Sequence, residues 1–167
     1  MTEVIVSKLM QQPIIELDPD TDVEFAIEVA QLMKTHYFPI FRGGAMVGIV
    51  CTCDMDDAPR TQPICQLSHA NVVTIPIHTT VSSAAELMHE KVVGSLVVLD
   101  GQVPCGILTR EALVDADARW ADYFADQHCE ACRALKHLRT MSDGQLLCAS
   151  CSGRAHDHGW LESGEGD

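Results

Sequence analysis

Sliding the chain along itself by 58 residues lays 14–55 on 72–113 without a gap. Thr21 meets Thr79, Val23 meets Val81, Ala26 meets Ala84 and Glu28 meets Glu86. Gly43 meets Gly101, Gly48 meets Gly106 and Ile49 meets Ile107. Seven identities in 42 positions exceed the roughly two or three expected by chance. The apolar pairs carry more weight. Ile15/Val73, Leu17/Ile75, Val29/Leu87, Ile40/Val98, Phe41/Leu99, Val50/Leu108 and Met55/Leu113 all stay in phase. Such a chain is built from two copies of one supersecondary unit.

The unit reads as strand, helix, strand, strand, helix. Residues 14–17 and 72–75 are short β-branched runs ended by Pro19 and Pro76. Thr21 with Glu24 fits a capping box opening a helix through about Lys34, with Val23, Ala26, Ile27, Ala30 and Met33 on one face. Val81, Ala84, Ala85 and Met88 repeat that face. Residues 38–41 and 46–51 then flank Gly43-Gly44, and residues 96–99 and 103–108 flank Asp100-Gly101. Each pair predicts two strands joined by a glycine turn. After Thr109, Leu113, Ala116, Trp120, Ala121 and Phe124 recur at helical spacing, which predicts a helix to about Asp126.

This pattern resembles a tandem CBS (cystathionine β-synthase) domain pair over roughly residues 7–125. The repeat ends carry the resemblance: Gly48-Ile49-Val50-Cys51-Thr52-Cys53-Asp54 and Gly106-Ile107-Leu108-Thr109-Arg110-Glu111-Ala112, with Val93-Gly94-Ser95-Leu96-Val97-Val98 as the second strand. The resemblance implies an α/β (α+β) fold of two β-α-β-β-α repeats packed as a pseudo-twofold pair. Repeat one would span 7–56, and repeat two with a linker helix 67–125. It also implies clefts that bind adenine nucleotides or related adenosyl compounds, and assembly into a homodimer.

An adenosine phosphate asks for an apolar slot, an acceptor for the ribose diol and donors for the phosphate. The matching positions are Cys51 and Asp54 in repeat one, Thr109 and Ala112 in repeat two, with Arg110 beside Thr109. Repeat one keeps the carboxylate but has a thiol, a weak donor, where a hydroxyl belongs. Repeat two keeps the hydroxyl but Ala112 cannot accept from ribose. Cys51, Asp54, Thr109 and Arg110 are therefore the candidate ligand residues, and helix capping is the plainer role for Asp54 and Thr109. His36, His69, His78 and His89 are scattered and read as ordinary surface or half-buried histidines. Cys51 and Cys53 read as small core residues, with a thiol redox or metal-binding role as the alternative. No Ser/His/Asp set, inward carboxylate pair or phosphate loop falls on this pattern, so no catalytic residues are assigned.

A second signal lies downstream: Cys129-Glu130-Ala131-Cys132, fifteen residues, then Cys148-Ala149-Ser150-Cys151. Two residues between cysteines let both thiolates face one ion, and four complete a tetrahedral shell. Ser142-Asp143-Gly144 offers the turn of a hairpin between the two pairs. The pattern resembles a zinc ribbon over 128–154, holding zinc, or iron, through Cys129, Cys132, Cys148 and Cys151. A closed shell is structural, and so short a segment needs the metal to fold. His128, His156 and His158 are alternative ligands. Residues 155–167 read as an acidic tail.

The chain's 11 Lys+Arg against 24 Asp+Glu give a net charge of −13, a poor match to a phosphate backbone. Aromatics at 5% also argue against a base-stacking surface. Only 129–154 runs basic, with Arg133, Lys136, Arg139 and Arg154 against Glu130 and Asp143. Contact with nucleic acid through the ribbon is therefore the alternative to a ligand-sensing module that meets a protein partner. No apolar run reaches membrane-spanning length, and the N-terminus lacks a signal-peptide pattern. Clustered thiols without such a signal point to a reducing, cytoplasmic setting.

Overall fold

The structure, a computed structural model, describes residues 3–56, 58–68, 72–128, 130–131 and 138–148. Its elements repeat at the 58-residue offset. Helix α1 (Val23–Met33) matches α2 (Val81–Lys91), strand β1 (Tyr37–Arg42) matches β4 (Ser95–Asp100), and β2 (Ala45–Cys51) matches β5 (Val103–Thr109). The two antiparallel hairpins share their register, including a shift after Ile40 in one and after Val98 in the other. Gly43 and Gly101 occupy equivalent turn positions at φ 59° and 65°, a conformation that costs other residues dearly. The helices end alike, with Lys34 and Val92 both left-handed at φ 53°.

The first strand of the unit is short in both copies. In repeat two, β3 (Thr74–Pro76) runs parallel to β4, giving the order β3-β4-β5. In repeat one the expected strand at 14–17 is a single parallel bridge, Leu17 to Ile40, equivalent to the Ile75–Val98 pair. Proline at 13 and at 19 brackets this segment, each removing an amide a ladder would use.

Three further expectations are corrected. Helix α1 is capped by Asp22, not Thr21: the Asp22 carboxylate accepts from the Phe25 amide at 2.8 Å. Thr21 instead gives its carbonyl to the Ile64 amide. The closing helix of repeat one is a three-residue 3-10 turn, Thr52–Asp54. At its start Cys51 stands where Thr109 caps the equivalent helix, and the sequence onward is aspartate-rich and ends at Pro59. The long helix expected after Thr109 is two short ones, α3 (Arg110–Ala116) and α4 (Arg119–Tyr123), parted by extended Asp117, whose carboxylate receives the Arg119 amide at 3.0 Å.

The structural repeat begins earlier than the sequence repeat. The Val6 amide donates to the Thr79 carbonyl and the Val81 amide to the Val4 carbonyl. At the same offset, the Ile64 amide donates to Thr21 and the Val23 amide to Gln62. The segment preceding repeat one is thus docked on repeat two, and the segment preceding repeat two on repeat one. Val6 and Ile64 are fully buried plugs of the opposite core. Leu9 and Leu67 extend the repeat's identities into this arm.

Each repeat closes one core. Val23, Ala26 and Ala30 of α1 pack on Phe38, Ile40, Val50, Met55 and Ile64. In repeat two, Val81, Ala84, Ala85 and Met88 pack on Leu96, Val98, Leu108 and Leu113, with Trp120 and Phe124 sealing the end. Small residues on the inner helix face let the helix lie close to the sheet. Each large side chain buried in these cores contributes about 1.5–3 kcal/mol. Beyond them stands an antiparallel hairpin of β6 (Leu138–Thr140) and β7 (Leu146–Cys148). No helix among the described residues is long and apolar enough to cross a membrane.

Candidate functional site: the seam between the repeats

The exchanged arms bring the two hairpins together, and a small apolar seam forms between them. Tyr37 and Cys51, cross-strand partners at the open end of the β1–β2 hairpin, are buried with Ile107 of β5. Ile14, Ile49 and Cys53 pack around this group. The Tyr37 hydroxyl lies over Gly94, where even a β-carbon would sit 3.5 Å from it. The seam is therefore lined by the strand ends that the sequence singled out.

Gln11 rivets the seam. Its backbone exchanges two hydrogen bonds with Ile107 in repeat two, at 2.8 and 3.0 Å. Its side chain reaches repeat one, where Nε2 donates to the Lys34 carbonyl at 2.8 Å and Oε1 lies 3.3 Å from the Thr35 hydroxyl. The leading segment lies so close to β5 that Gly106 has no room for a side chain. A β-carbon there would come 2.9 Å from Met10 Cγ and 3.1 Å from the Gln11 carbonyl. Gln11 carried no motif, and sequence reasoning passed over it.

The four candidate ligand residues take different places. Thr109 is the N-cap of α3, its hydroxyl accepting from the Ala112 amide at 3.1 Å. Cys51 has no such helix to cap. Its sulfur accepts from the Cys53 amide at 3.3 Å and is bonded to the sulfur of Cys53. Asp54 is half-buried at the end of the 3-10 turn. His36 Nδ1 lies 3.3 Å from the Thr52 hydroxyl beside it.

Arg110 is only 4% exposed. Its Nη2 donates to the Val93 carbonyl at 3.1 Å and to Gln127 Oε1 at 2.9 Å, and its guanidinium lies 4.3 Å over the Phe124 ring. Nε and Nη1 meet no hydrogen-bond partner among the described residues. Burial pulls its pKa below the usual arginine range, and the nearby Tyr37, Glu111 and Asp126 oppose that pull. A buried cation with two unpartnered nitrogens, carrying three N–H groups between them, costs free energy that an acceptor would recover. Gln127 extends the arrangement by donating to the His89 carbonyl at 2.6 Å, and His89 Nε2 lies 2.9 Å from Asp126. This chain of contacts fastens the end of repeat two to α2.

Of the four cysteines expected to hold metal, Cys129, Cys132 and Cys151 lie outside the described residues. Cys148 is buried at the end of β7. The chain next to Cys129 is tied to that strand: the Glu130 amide donates to the Leu146 carbonyl at 2.8 Å, and Glu130 Oε1 accepts from the Leu146 amide at 3.2 Å. No group of three potential ligands occurs among the described residues.

Comparison with known proteins agrees with this architecture. Residues 64–119 match the CBS domain family. No curated protein matches. Among solved structures, an uncharacterized conserved protein from Pyrococcus horikoshii shares 17% identity, with 68% of this chain and 92% of that one covered at a TM-score of 0.60. A CBS domain pair in complex with 5′-methylthioadenosine and S-adenosyl-L-methionine shares 20%, covering 71% and 98% at 0.62. The CBS domain of a bacterial CNNM/CorC family magnesium transporter in complex with ATP shares 15%, covering 67% and 85% at 0.57. Residues 64–119 are thus similar to the CBS domain family, and the two repeats share the fold of CBS-domain pairs.

Proposed function

We propose that this protein is a non-catalytic regulatory module that senses an adenosyl ligand, of the AMP or ATP kind, in the seam between its repeats. The observation that carries this reading is the seam itself: two twinned strand ends meeting at Tyr37, Cys51 and Ile107, in a fold that other chains use to hold methylthioadenosine, S-adenosylmethionine or ATP. In this reading Asp54 accepts from the ribose hydroxyls. Thr109 and the first amides of α3 face the anionic part, Cys51 walls the base, and Arg110 supplies buried positive charge through Nε and Nη1. CBS domains are generally regulatory, which supports a sensing rather than a catalytic role.

The four cysteines Cys129, Cys132, Cys148 and Cys151 complete the proposal as a structural site for zinc, or for iron. The donor set fits: four thiolates in two pairs, with a hairpin between them whose returning strand bears Cys148. The bound ion would supply folding energy to the tip and no reaction. The tip then serves as the contact for a protein partner. The module acts as a cytoplasmic homodimer formed through the CBS pair. On α1, Phe25 is 53% and Leu32 80% exposed, with Met33 beside them, an apolar stripe suited to a second copy.

Calorimetric titration of the purified chain with AMP, ADP, ATP, S-adenosylmethionine and NADH tests the sensing role. Saturable heat with an adenosyl compound is expected. No heat and no thermal shift with any of them overturns it. Native mass spectrometry of the same sample reads subunit number and bound metal together.

A further inference from the structure

The repeat places Cys51 where its twin has Thr109, and the two positions are built differently. The Thr109 hydroxyl caps a seven-residue helix. Cys51 begins a three-residue turn that brings the α-carbon of Cys53 to 5.2 Å, within the span a disulfide bridges. Both positions are extended N-caps, but repeat two has Thr109 and Glu111 where repeat one has Cys51 and Cys53, so repeat one alone of the two can close such a bond. The pair also lies in the seam, with Cys51 7% exposed and Cys53 half-buried against the same apolar group. The cysteines at 65 and 105 are free thiols, and Cys105 is occupied in donating to the Val98 carbonyl.

We infer that Cys51 and Cys53 are a reversible thiol–disulfide site, oxidised by a low-molecular-weight disulfide and reduced by the matching thiol. The more exposed Cys53 thiolate attacks the incoming disulfide, forming a mixed disulfide and releasing one thiolate. Cys51 then attacks the Cys53 sulfur, closing the protein disulfide and releasing the second. The two protein thiols lose two electrons and two protons, and the incoming disulfide gains both as two thiols. The inference stands whether or not the seam holds a ligand. Its structural consequence is local: closure holds residues 51–53 in the tight turn, and opening frees this end of the seam.

Trypsin makes the test direct, because the peptide spanning residues 43–60 contains Cys51 and Cys53 and no other cysteine. The full-length protein is incubated with oxidised glutathione, alkylated and digested. The expected peptide is lighter by two hydrogens and carries neither alkyl label, while the peptides bearing Cys65 and Cys105 stay labelled. Treatment with reduced glutathione restores both labels. Denatured first in urea, the pair should close at least about tenfold less, because the turn that aligns the two thiols is lost. The inference fails if both thiols stay labelled after oxidation. It also fails if glutathione accumulates separately on each, or if closure is equal in the denatured chain.

Discussion

Gln11 and Ile107 exchange both of their backbone hydrogen bonds, although one stands in the leading arm and the other in the last strand of repeat two. The same glutamine holds the end of α1 through the Lys34 carbonyl. One residue thus ties three parts of the chain, and the seam depends on it. Gln11→Ala should cost about 1 kcal/mol for its lost side-chain bonds. Gly106→Ala should cost roughly 1–3 kcal/mol, because its β-carbon collides with Met10 and the Gln11 carbonyl. Urea unfolding checks both. A Gly106→Ala protein as stable as the parent would show that the arm does not lie on β5.

Val92 ends α2 in the left-handed conformation, which a β-branched side chain tolerates poorly. Val92→Gly should relieve that strain and raise stability by about 0.5–1 kcal/mol, after allowing for glycine's greater freedom in the unfolded chain. The thermal midpoint should rise by a few degrees. A fall would mean that the Val92 side chain packs more favourably than its backbone is strained.

The hydrogen bond from His89 holds Asp126 below the usual carboxylate pKa range, and the His89 charge adds to it. A depressed carboxylate stabilises the fold above its unfolded pKa of about 3.9, and this contribution is lost as pH falls through the lower folded value. Asp126 is mostly exposed, so solvent screening keeps the effect below about 1 kcal/mol. Comparing the parent with Asp126→Asn across pH 3 to 6 checks it. The stability gap between them should narrow as the solution becomes more acidic. A gap independent of pH would deny the pair any role.

Arg110 and Asp54 separate ligand binding from folding. Arg110→Met removes the unspent donors on Nε and Nη1 and the buried charge while keeping bulk over Phe124. Its fold should survive, since replacing a buried charge by an apolar side chain is often close to neutral. Affinity for a phosphate-bearing adenosyl ligand should fall about ten- to a hundredfold with either Arg110→Met or Asp54→Ala. Calorimetry on both variants, with far-ultraviolet circular dichroism as the folding control, decides it. Unchanged affinity would move the ligand away from these residues.

A chelator tests the cysteine cluster. Removing a structural ion should unfold the C-terminal tip alone, leaving the melting of the CBS pair unchanged, because the two cores bury their apolar residues without it. Cys148→Ser should lower bound metal in the same way. Metal content by elemental analysis and proteolysis of the tip are the readouts. A chain carrying no metal when purified in excess zinc would refute the site.

The offset of 58 was legible in residues because glycine turns and buried apolar positions leave a pattern that one chain segment can display by itself. From it came the two helices, the paired hairpins and the strand ends where Cys51, Asp54, Thr109 and Arg110 sit. Other features needed the folded chain. The exchanged arms, Gln11 as rivet and the turn of Arg110 onto Phe124 all rest on contacts between distant residues, which local patterns do not encode. The shortened closing helix of repeat one belongs with them. There Cys51 and Cys53 pack with Tyr37 and Ile107, residues distant in sequence that only the folded chain brings together.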